Sequence, residues 1–249
     1  RGLVGAWPLN DGFGKGKLTR DLSLSGNHGI PANAPVFGTG PDRQGSGATL
    51  FNGSSDGISL GNILNIFVLQ PITFMCWMQS TVSTEQHSLI DKLAYSPNYD
   101  GYSFYISSGL LGLCLNRTYP SSYMLILSTA SVTSGQWTHV AAATDGTGTA
   151  SGSNLFINGN LASHSTSSDT LSGSIANSST LCIGNRISYP VPFQGSIFDL
   201  RVYRRALKCT EMQAIYRDPG GLLRLRQNRP YYSLSGKPWV YAHMLQEAA

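Results

Sequence analysis

Apolar and polar residues alternate along most of this chain with a period of two. In "PITFMCWMQS", Ile72, Phe74, Cys76 and Met78 fall on one side, and Thr73, Met75, Trp77 and Gln79 on the other. That period is the signature of a β-strand with two distinct faces. "GYSFYIS" repeats it with Tyr102, Phe104 and Ile106, and "QWTHVAAAT" and "LCIGN" read as further strands. In "LFINGNLAS", Asn158-Gly159 separates two such runs, a pair suited to the positive φ angles of a two-residue hairpin. "FNGSSDGISL" carries a similar turn signal. Clusters of Gly, Asn, Ser and Pro punctuate about a dozen short runs, the rhythm of a sandwich or barrel. Strands do not alternate with helices, which argues against a parallel α/β sheet.

One helix stands out near the end. Thr210 and Gln213 make a capping-box pair, Met212, Ile215 and Tyr216 form a short apolar face, and Pro219-Gly220 stops it. Just before it, "GSIFDLRVY" places Phe198, Leu200 and Val202 on the core face. Ile197, Asp199, Arg201 and Tyr203 share the other face, with Asp199 and Arg201 as a local ion pair or hydrogen-bond partnership, one that would contribute only ~0–1 kcal/mol if exposed.

Composition fits this reading. The chain has 249 residues, 28 of them Gly and only 12% charged, and its glutamates are Glu85, Glu211 and Glu247 alone. No apolar run is long enough to cross a bilayer, and no signal-peptide pattern is present. Arg1 in place of an initiator Met marks a processed or excerpted chain. Charge is uneven. Residues 200–249 hold nine basic residues against three acidic ones, within a chain total of +4. The basic residues are spaced out and match no nucleic-acid-binding motif, so a docked or solvated arm is expected and no specific nucleic acid. Cys76, Cys114, Cys182 and Cys209 form no CxxC pair and sit among apolar neighbours, so buried free thiols are favoured over two disulfides.

The ordered stretches "GLVGAWPLNDGFG", "DLSLSGNHG", "ATLFNGSSDGISLG", "ITFMCWMQS", "GQWTHVAAATDG", "LFINGNLA", "LCIGN" and "FQGSIFDLRVYRRALKCTEMQAIY" cover residues 2–217. In that order they resemble the laminin-G-like jelly rolls of the concanavalin A-like lectin/glucanase fold. The resemblance implies an all-β, two-sheet antiparallel jelly-roll sandwich over residues 1–217, closed by one short helix. Residues 218–249 would then be a basic, aromatic arm. It also implies a binding or adhesion module of a secreted, cell-surface or virion protein. Relatives often hold a structural Ca²⁺, an ion that takes several oxygen ligands. Where their last strand reads Ile-Asp-Asp-Val-Arg, this chain has Phe198 in place of the first acid, which removes one ligand. Asp11, Asp21 and Asn27 are the remaining candidates. No cofactor is required.

A glycosidase on this fold needs two carboxylates flanking the sugar bond, roughly 5–9.5 Å apart. No strand here carries such a pair, and His139 reads as a structural strand residue. Three loops are candidates for recognition. "YSPNYDGY" offers Tyr95, Tyr99 and Tyr102; "NRTYPSSY" offers Arg117, Tyr119 and Tyr123; "GNRISYPVPF" offers Arg186 and Tyr189. Tyrosine pairs a flat apolar face with a hydroxyl, which suits sugars and protein surfaces alike. The same rings could instead cap the sandwich ends. A protein interface is slightly favoured over a sugar site, because neither a Trp platform nor an acidic cluster is present. "NGS", "NRT" and "NSS" fit the N-glycosylation pattern, as chance allows in a chain so rich in Ser and Thr. The leading expectation is a non-catalytic module that binds a glycan or a protein surface. The alternative is a structural subunit whose arm (Arg224, Arg226, Arg229, Tyr231, Tyr232 and Trp239) docks on neighbouring subunits.

Overall fold

The structure is a computed structural model. It describes residues 1–10, 18–33, 35–41, 47–66, 70–80, 86–95, 97–186 and 189–221. In chain order the strands are β1 (Leu3–Trp7), β2 (Ile30–Ala32), β3 (Val36–Thr39), β4 (Gly47–Asn52), β5 (Gly57–Ser59), β6 (Ile72–Ser80), β7 (Gln86–Asp91) and β8 (Gly101–Ser107). They continue as β9 (Leu110–Thr118), β10 (Ser122–Ser131), β11 (Thr138–Thr144), β12 (Ser153–Ile157), β13 (Asn160–Ala162), β14 (His164–Asp169), β15 (Cys182–Ile183) and β16 (Gln194–Tyr203). Helix α1 (Cys209–Tyr216) follows.

Two antiparallel sheets result. The first runs β13-β12-β11-β6-β16-β4-β3 with β1 also on β16, and the second runs β14-β10-β9-β8-β7-β15-β5-β2. Their facing sides bury Trp7, Phe51, Phe74, Tyr102, Phe104 and Phe193 in one core. This is the expected jelly-roll sandwich. Strand β6 is buried on both faces. Ile72, Phe74, Cys76 and Met78 point between the sheets, while Met75 joins a smaller cluster under α1 with Ala141, Phe156, Leu207 and Met212.

The turn signals resolve differently. Asn158 and Gly159 take φ of 51° and 75° between the paired Ile157 and Asn160, the anticipated hairpin. The 51–60 stretch is instead a crossover from β4 in one sheet to β5 in the other. Asn52 Oδ1 shapes it by accepting from the N–H groups of Ser54, Ser55 and Asp56 at 2.9, 3.0 and 3.2 Å.

Strand β16 corrects the expected alternation. Its pairing with β6 slips between Phe198 and Arg201, and Asp199 sits there at φ 52° with its N–H donating to Pro8 O at 2.9 Å. The extra residue of this bulge reverses the parity, so Ile197, Leu200 and Val202 enter the main core and Phe198 does not. Phe198 is still fully buried. The Asp199–Arg201 pair is not exposed either. Arg201 Nε and Nη2 donate to the carboxylate at 2.8 and 2.5 Å, with both side chains 6% exposed.

The helix begins one residue before the predicted cap. Lys208, not Thr210, is the N-cap, and Glu211, not Gln213, accepts its N–H at 3.0 Å. Arg205 holds that carboxylate from the other side at 2.8 and 2.6 Å, and the fork keeps the Glu211 pKa down at about 2. All four cysteines are free, but Cys209 is exposed on the helix, against expectation, and Cys114 is only half-buried.

The chain divides into Arg1–Pro219 and Gly220–Ala249. The arm residues Arg224, Arg226, Arg229, Tyr231, Tyr232 and Trp239 lie outside the described residues, as do Asp11 and Glu85. Among the described residues, no helix is long and apolar enough to cross a membrane.

Candidate functional site

Strand geometry sorts the eight candidate binding residues. Tyr102 shares its face with Phe104 and Ile106, and so points between the sheets. It is 1% exposed, its ring lies 5.1 Å from that of Phe74, and its hydroxyl donates to Leu64 O at 3.1 Å. It is a core residue, and the expectation that it binds ligand is corrected on that ground.

The other five tyrosines come together although they derive from three separate loops. Tyr189 and Tyr95 lie parallel, with centroids 5.6 Å apart and planes within 3°. Tyr95 meets Tyr99 edge-on at 5.7 Å, and Tyr99 meets Tyr119 edge-on at 6.2 Å. Tyr119 and Tyr123 close the row at 5.3 Å. Edge-to-face and parallel pairs at such distances are favourable beyond their buried area. Tyr95, Tyr119 and Tyr189 remain 49%, 57% and 57% exposed, so the row is open to solvent.

Polar anchors below the rings hold the loops. Asn116 is nearly fully buried on β9, and its side-chain amide donates to Tyr99 O at 2.7 Å. Tyr119 N–H donates to Asn98 O at 3.0 Å, tying the first loop to the second. Asn177 donates to both Lys92 O (2.8 Å) and Asp100 O (2.6 Å), closing the base of the first loop. The Tyr119–Pro120 bond within the row is cis.

The third loop is held by charge. Arg186 Nε and Nη2 each donate to the Asp91 carboxylate at 2.9 Å, and that carboxylate is fully buried. Asp91 also accepts from Ser88 Oγ at 3.1 Å and Leu93 N–H at 2.9 Å. Burial works against the guanidinium charge, but the adjoining carboxylate outweighs it and keeps the Arg186 pKa above its ordinary value. Arg186 is thus an anchor, placed beside the site with its fork already occupied. Arg117 is exposed, rests against Gly173, and donates from Nη1 to Ser172 O at 3.1 Å. No described ring of the row carries it as a cation–π partner.

Sequence reasoning missed these anchors. Asn52, Asn116 and Asn177 head the three glycosylation-like triplets, yet each uses its side chain to fix backbone. Lys92 was also missed. It is 1% exposed, its ammonium donates to Asn62 Oδ1 at 2.8 Å and to Ser179 O, and burial pushes its pKa down to about 8.

The calcium candidates form a structural corner. Asp21 Oδ1 accepts the N–H groups of Ala6 and Ser23, each at 2.8 Å. Oδ2 accepts Ser23 Oγ at 2.7 Å and Asn27 N–H at 2.8 Å. Asn27 Nδ2 donates to Val4 O and its own carbonyl accepts Trp7 Nε1–H. Three backbone N–H groups and one hydroxyl donate to the carboxylate and occupy both of its oxygens, so Asp21 and Asn27 as arranged do not fit a Ca²⁺ shell. Among the described residues, no three His, Cys, Asp or Glu side chains converge. His139 is 1% exposed and packs edge-on against Trp77 at 5.4 Å. Burial, then the charge of Arg201, pushes its pKa down to about 4.

Comparison with known proteins agrees with the fold. Residues 52–213 match the family described as the concanavalin A-like lectin/glucanases superfamily. No curated protein sequence matches the chain. Among solved structures, domain 4 of AbnA, a GH43 extracellular arabinanase from Geobacillus stearothermophilus solved with arabinotriose, is 20% identical. Its TM-score is 0.61, with 86% of this chain and 98% of that one covered. The binding domain of Paraclostridial Mosquitocidal Protein 1 is 15% identical at a TM-score of 0.63, covering 86% and 52%. A botulinum neurotoxin DC binding domain, solved with rat synaptotagmin II, is 14% identical at 0.57, covering 87% and 51%. The chain spans about half the length of the toxin binding domains it matches. At these identities the likeness is one of fold.

Proposed function

We propose that this chain, which belongs to the concanavalin A-like lectin/glucanases superfamily, is a non-catalytic recognition module that binds a glycan or a protein surface along its tyrosine row. The observation that carries this reading is the row itself. Five rings from three loops, one pair parallel and the others edge-on or tilted, form a continuous and partly exposed aromatic face. Solved neighbours include a domain in complex with arabinotriose and, matched over about half their length, toxin binding domains in complex with synaptotagmin II and with SialylT, which supports a recognition role. Among the described residues, three carboxylates are held in ion pairs: Asp91 with Arg186, Asp199 with Arg201, and Glu211 with Arg205. Such a module works outside the cytoplasm, in a secreted, cell-surface or virion protein.

The test is binding of the full chain and of its Tyr95→Ser/Tyr119→Ser/Tyr189→Ser variant to a glycan array and to intact cell surfaces. The reading expects retention of the parent chain and its loss in the variant. Equal retention of both, with the variant folded, refutes it. A second reading rests on the basic, aromatic sequence of residues 218–249: the arm serves assembly with neighbouring subunits. If deleting residues 220–249 leaves the native particle size unchanged, that reading fails.

A further inference from the structure

We infer that β3, the terminal strand of the first sheet, joins two copies of this chain into a two-fold dimer. This surface is separate from the tyrosine row and does not rest on the recognition role proposed above.

Exposed apolar residues gather on one flank of the sandwich. Among the described residues, and Leu161 apart, the large apolar side chains exposed outside the tyrosine row are Leu18, Leu24, Ile30, Val36, Phe37 and Leu50, all within residues 18–50. Strand β3 ends the first sheet and β2 ends the second. The link between them, residues 33–35, reaches about 14 Å at most, so the two strands stand one above the other across the ~10 Å between packed sheets. Val36 and Leu50 are cross-strand neighbours, and Ile30 opens β2. Phe37 lies over Gly47, where a Cβ would fall 1.6 Å from its ring. The glycine therefore seats that ring before any partner arrives. With Ile30, Val36, Phe37 and Leu50 exposed by 63%, 62%, 42% and 39%, the flank offers on the order of 400 Å² of apolar surface, the size at which a patch marks an interaction site. A standard interface buries about 800 Å² per partner, a little over half of it apolar. The flank thus supplies about what one half of a stable dimer needs.

The strand edges point the same way. An unguarded edge strand is a template for another strand. Strand β2 carries Pro31, which has no N–H to donate. Strand β14 is polar throughout, and a register shift interrupts its pairing with β10. Strand β3 reads Val-Phe-Gly-Thr, has neither charge nor proline, and pairs with β4 without a shift. A second copy suits this edge because the edge is complementary to itself. A two-fold axis normal to the sheet sets core-side residues opposite core-side residues. With the axis at Phe37, the two Phe37 rings form a cross-strand pair, and each Val36 faces the Gly38 of the other copy, where no side chain competes for space. Strands β2, β3 and β4 carry no charged residue, so like charges on these strands do not oppose the contact.

The experiment is sedimentation equilibrium of the full chain from about 1 to about 100 μM, beside Val36→Lys and Phe37→Lys, with urea midpoints to confirm that each variant is folded. The parent should dimerise in that range, and either lysine should weaken association at least about tenfold. Cross-linking then reads the register in a Cys209→Ser background. Phe37→Cys should form an intermolecular disulfide with oxidised glutathione, because paired Cβ atoms stand about 5 Å apart. Thr39→Cys should not, because the two copies of that residue lie about 13 Å apart along the strands. A parent chain that stays monomeric throughout the range overturns the inference. A dimer that both lysine variants leave undiminished overturns it too, since the contact then lies elsewhere on the chain. Cross-linking at Thr39→Cys but not at Phe37→Cys overturns the two-fold pairing.

Discussion

His139 sets a measurable acid limit on this fold. Its ring is 1% exposed against Trp77, and burial together with Arg201 pushes its pKa from 6.5 down to about 4, against the smaller opposing pull of Asp199. The folded state therefore resists protonation where the unfolded chain accepts it. Stability from this residue is complete above the unfolded value and is lost as pH falls towards the folded value. Each pH unit in that window is worth about 1.4 kcal/mol, so the full interval amounts to about 3 kcal/mol. That is a large share of the roughly 5–15 kcal/mol expected of a domain. The assay is urea unfolding, followed by tryptophan fluorescence near pH 7 and near pH 4.5, for the parent chain, His139→Phe and His139→Gln. Phe retains the edge contact with Trp77, and Gln retains a polar group; neither titrates. Carboxylate titration is common to all three proteins and cancels in the comparison. The parent should lose about 2–3 kcal/mol more than either variant between the two conditions, with unchanged urea dependence. Equal losses in all three proteins would refute the reasoning, because the imidazole would then not be held neutral by its surroundings.

Lys92 should give the same sign at the basic end. Its folded pKa of about 8 lies below the unfolded 10.5, so stability should rise by about 3 kcal/mol between those values in the parent chain and stay flat in Lys92→Met, as read by urea midpoints. Arg186→Ala strands the buried Asp91 carboxylate and should cost about 3–5 kcal/mol, whereas Arg186→Lys should recover part of that loss in the same measurement. Gly159→Ala forces a side chain into a left-handed position where its Cβ would stand 2.9 Å from Tyr216 Cβ; a loss of about 1–2 kcal/mol in thermal unfolding is expected. Millimolar calcium or chelator should move the Tm by less than about 1 °C, since protein donors already fill the Asp21 carboxylate.

The sheet content was legible because each strand carries its own parity, and parity is local. That same parity foretold the burial of Tyr102, which alternates with Phe104 and Ile106; grouping it with the loop tyrosines beside it overrode its own strand. The bulge in β16 left no comparable trace. An aspartate at positive φ is stabilised there by Pro8 O, a partner nearly two hundred positions away in the chain. The helix cap failed for a related reason. Thr210 and Gln213 satisfy the local pattern, but Arg205 fixes Glu211 and so favours a cap two residues earlier. The loops of the candidate site could be named from their tyrosines. Their union could not, because it depends on Asp91 and Arg186, which are distant in sequence and unremarkable alone.

Strand β16 has a further consequence, which concerns the order in which the molecule can be made. It lies in the middle of the first sheet, with β6 on one side and β4 and β1 on the other, yet it is the last of the described strands to leave the ribosome. Until residue 203 emerges, β6 and β4 present open, apolar edges with nothing between them. A growing chain therefore cannot complete its core strand by strand, and closure is a single late event of long sequence separation. During that interval the exposed edges can pair with another nascent chain, so crowded synthesis favours aggregation. Supplying residues 194–217 as a separate peptide should rescue a chain that ends before them.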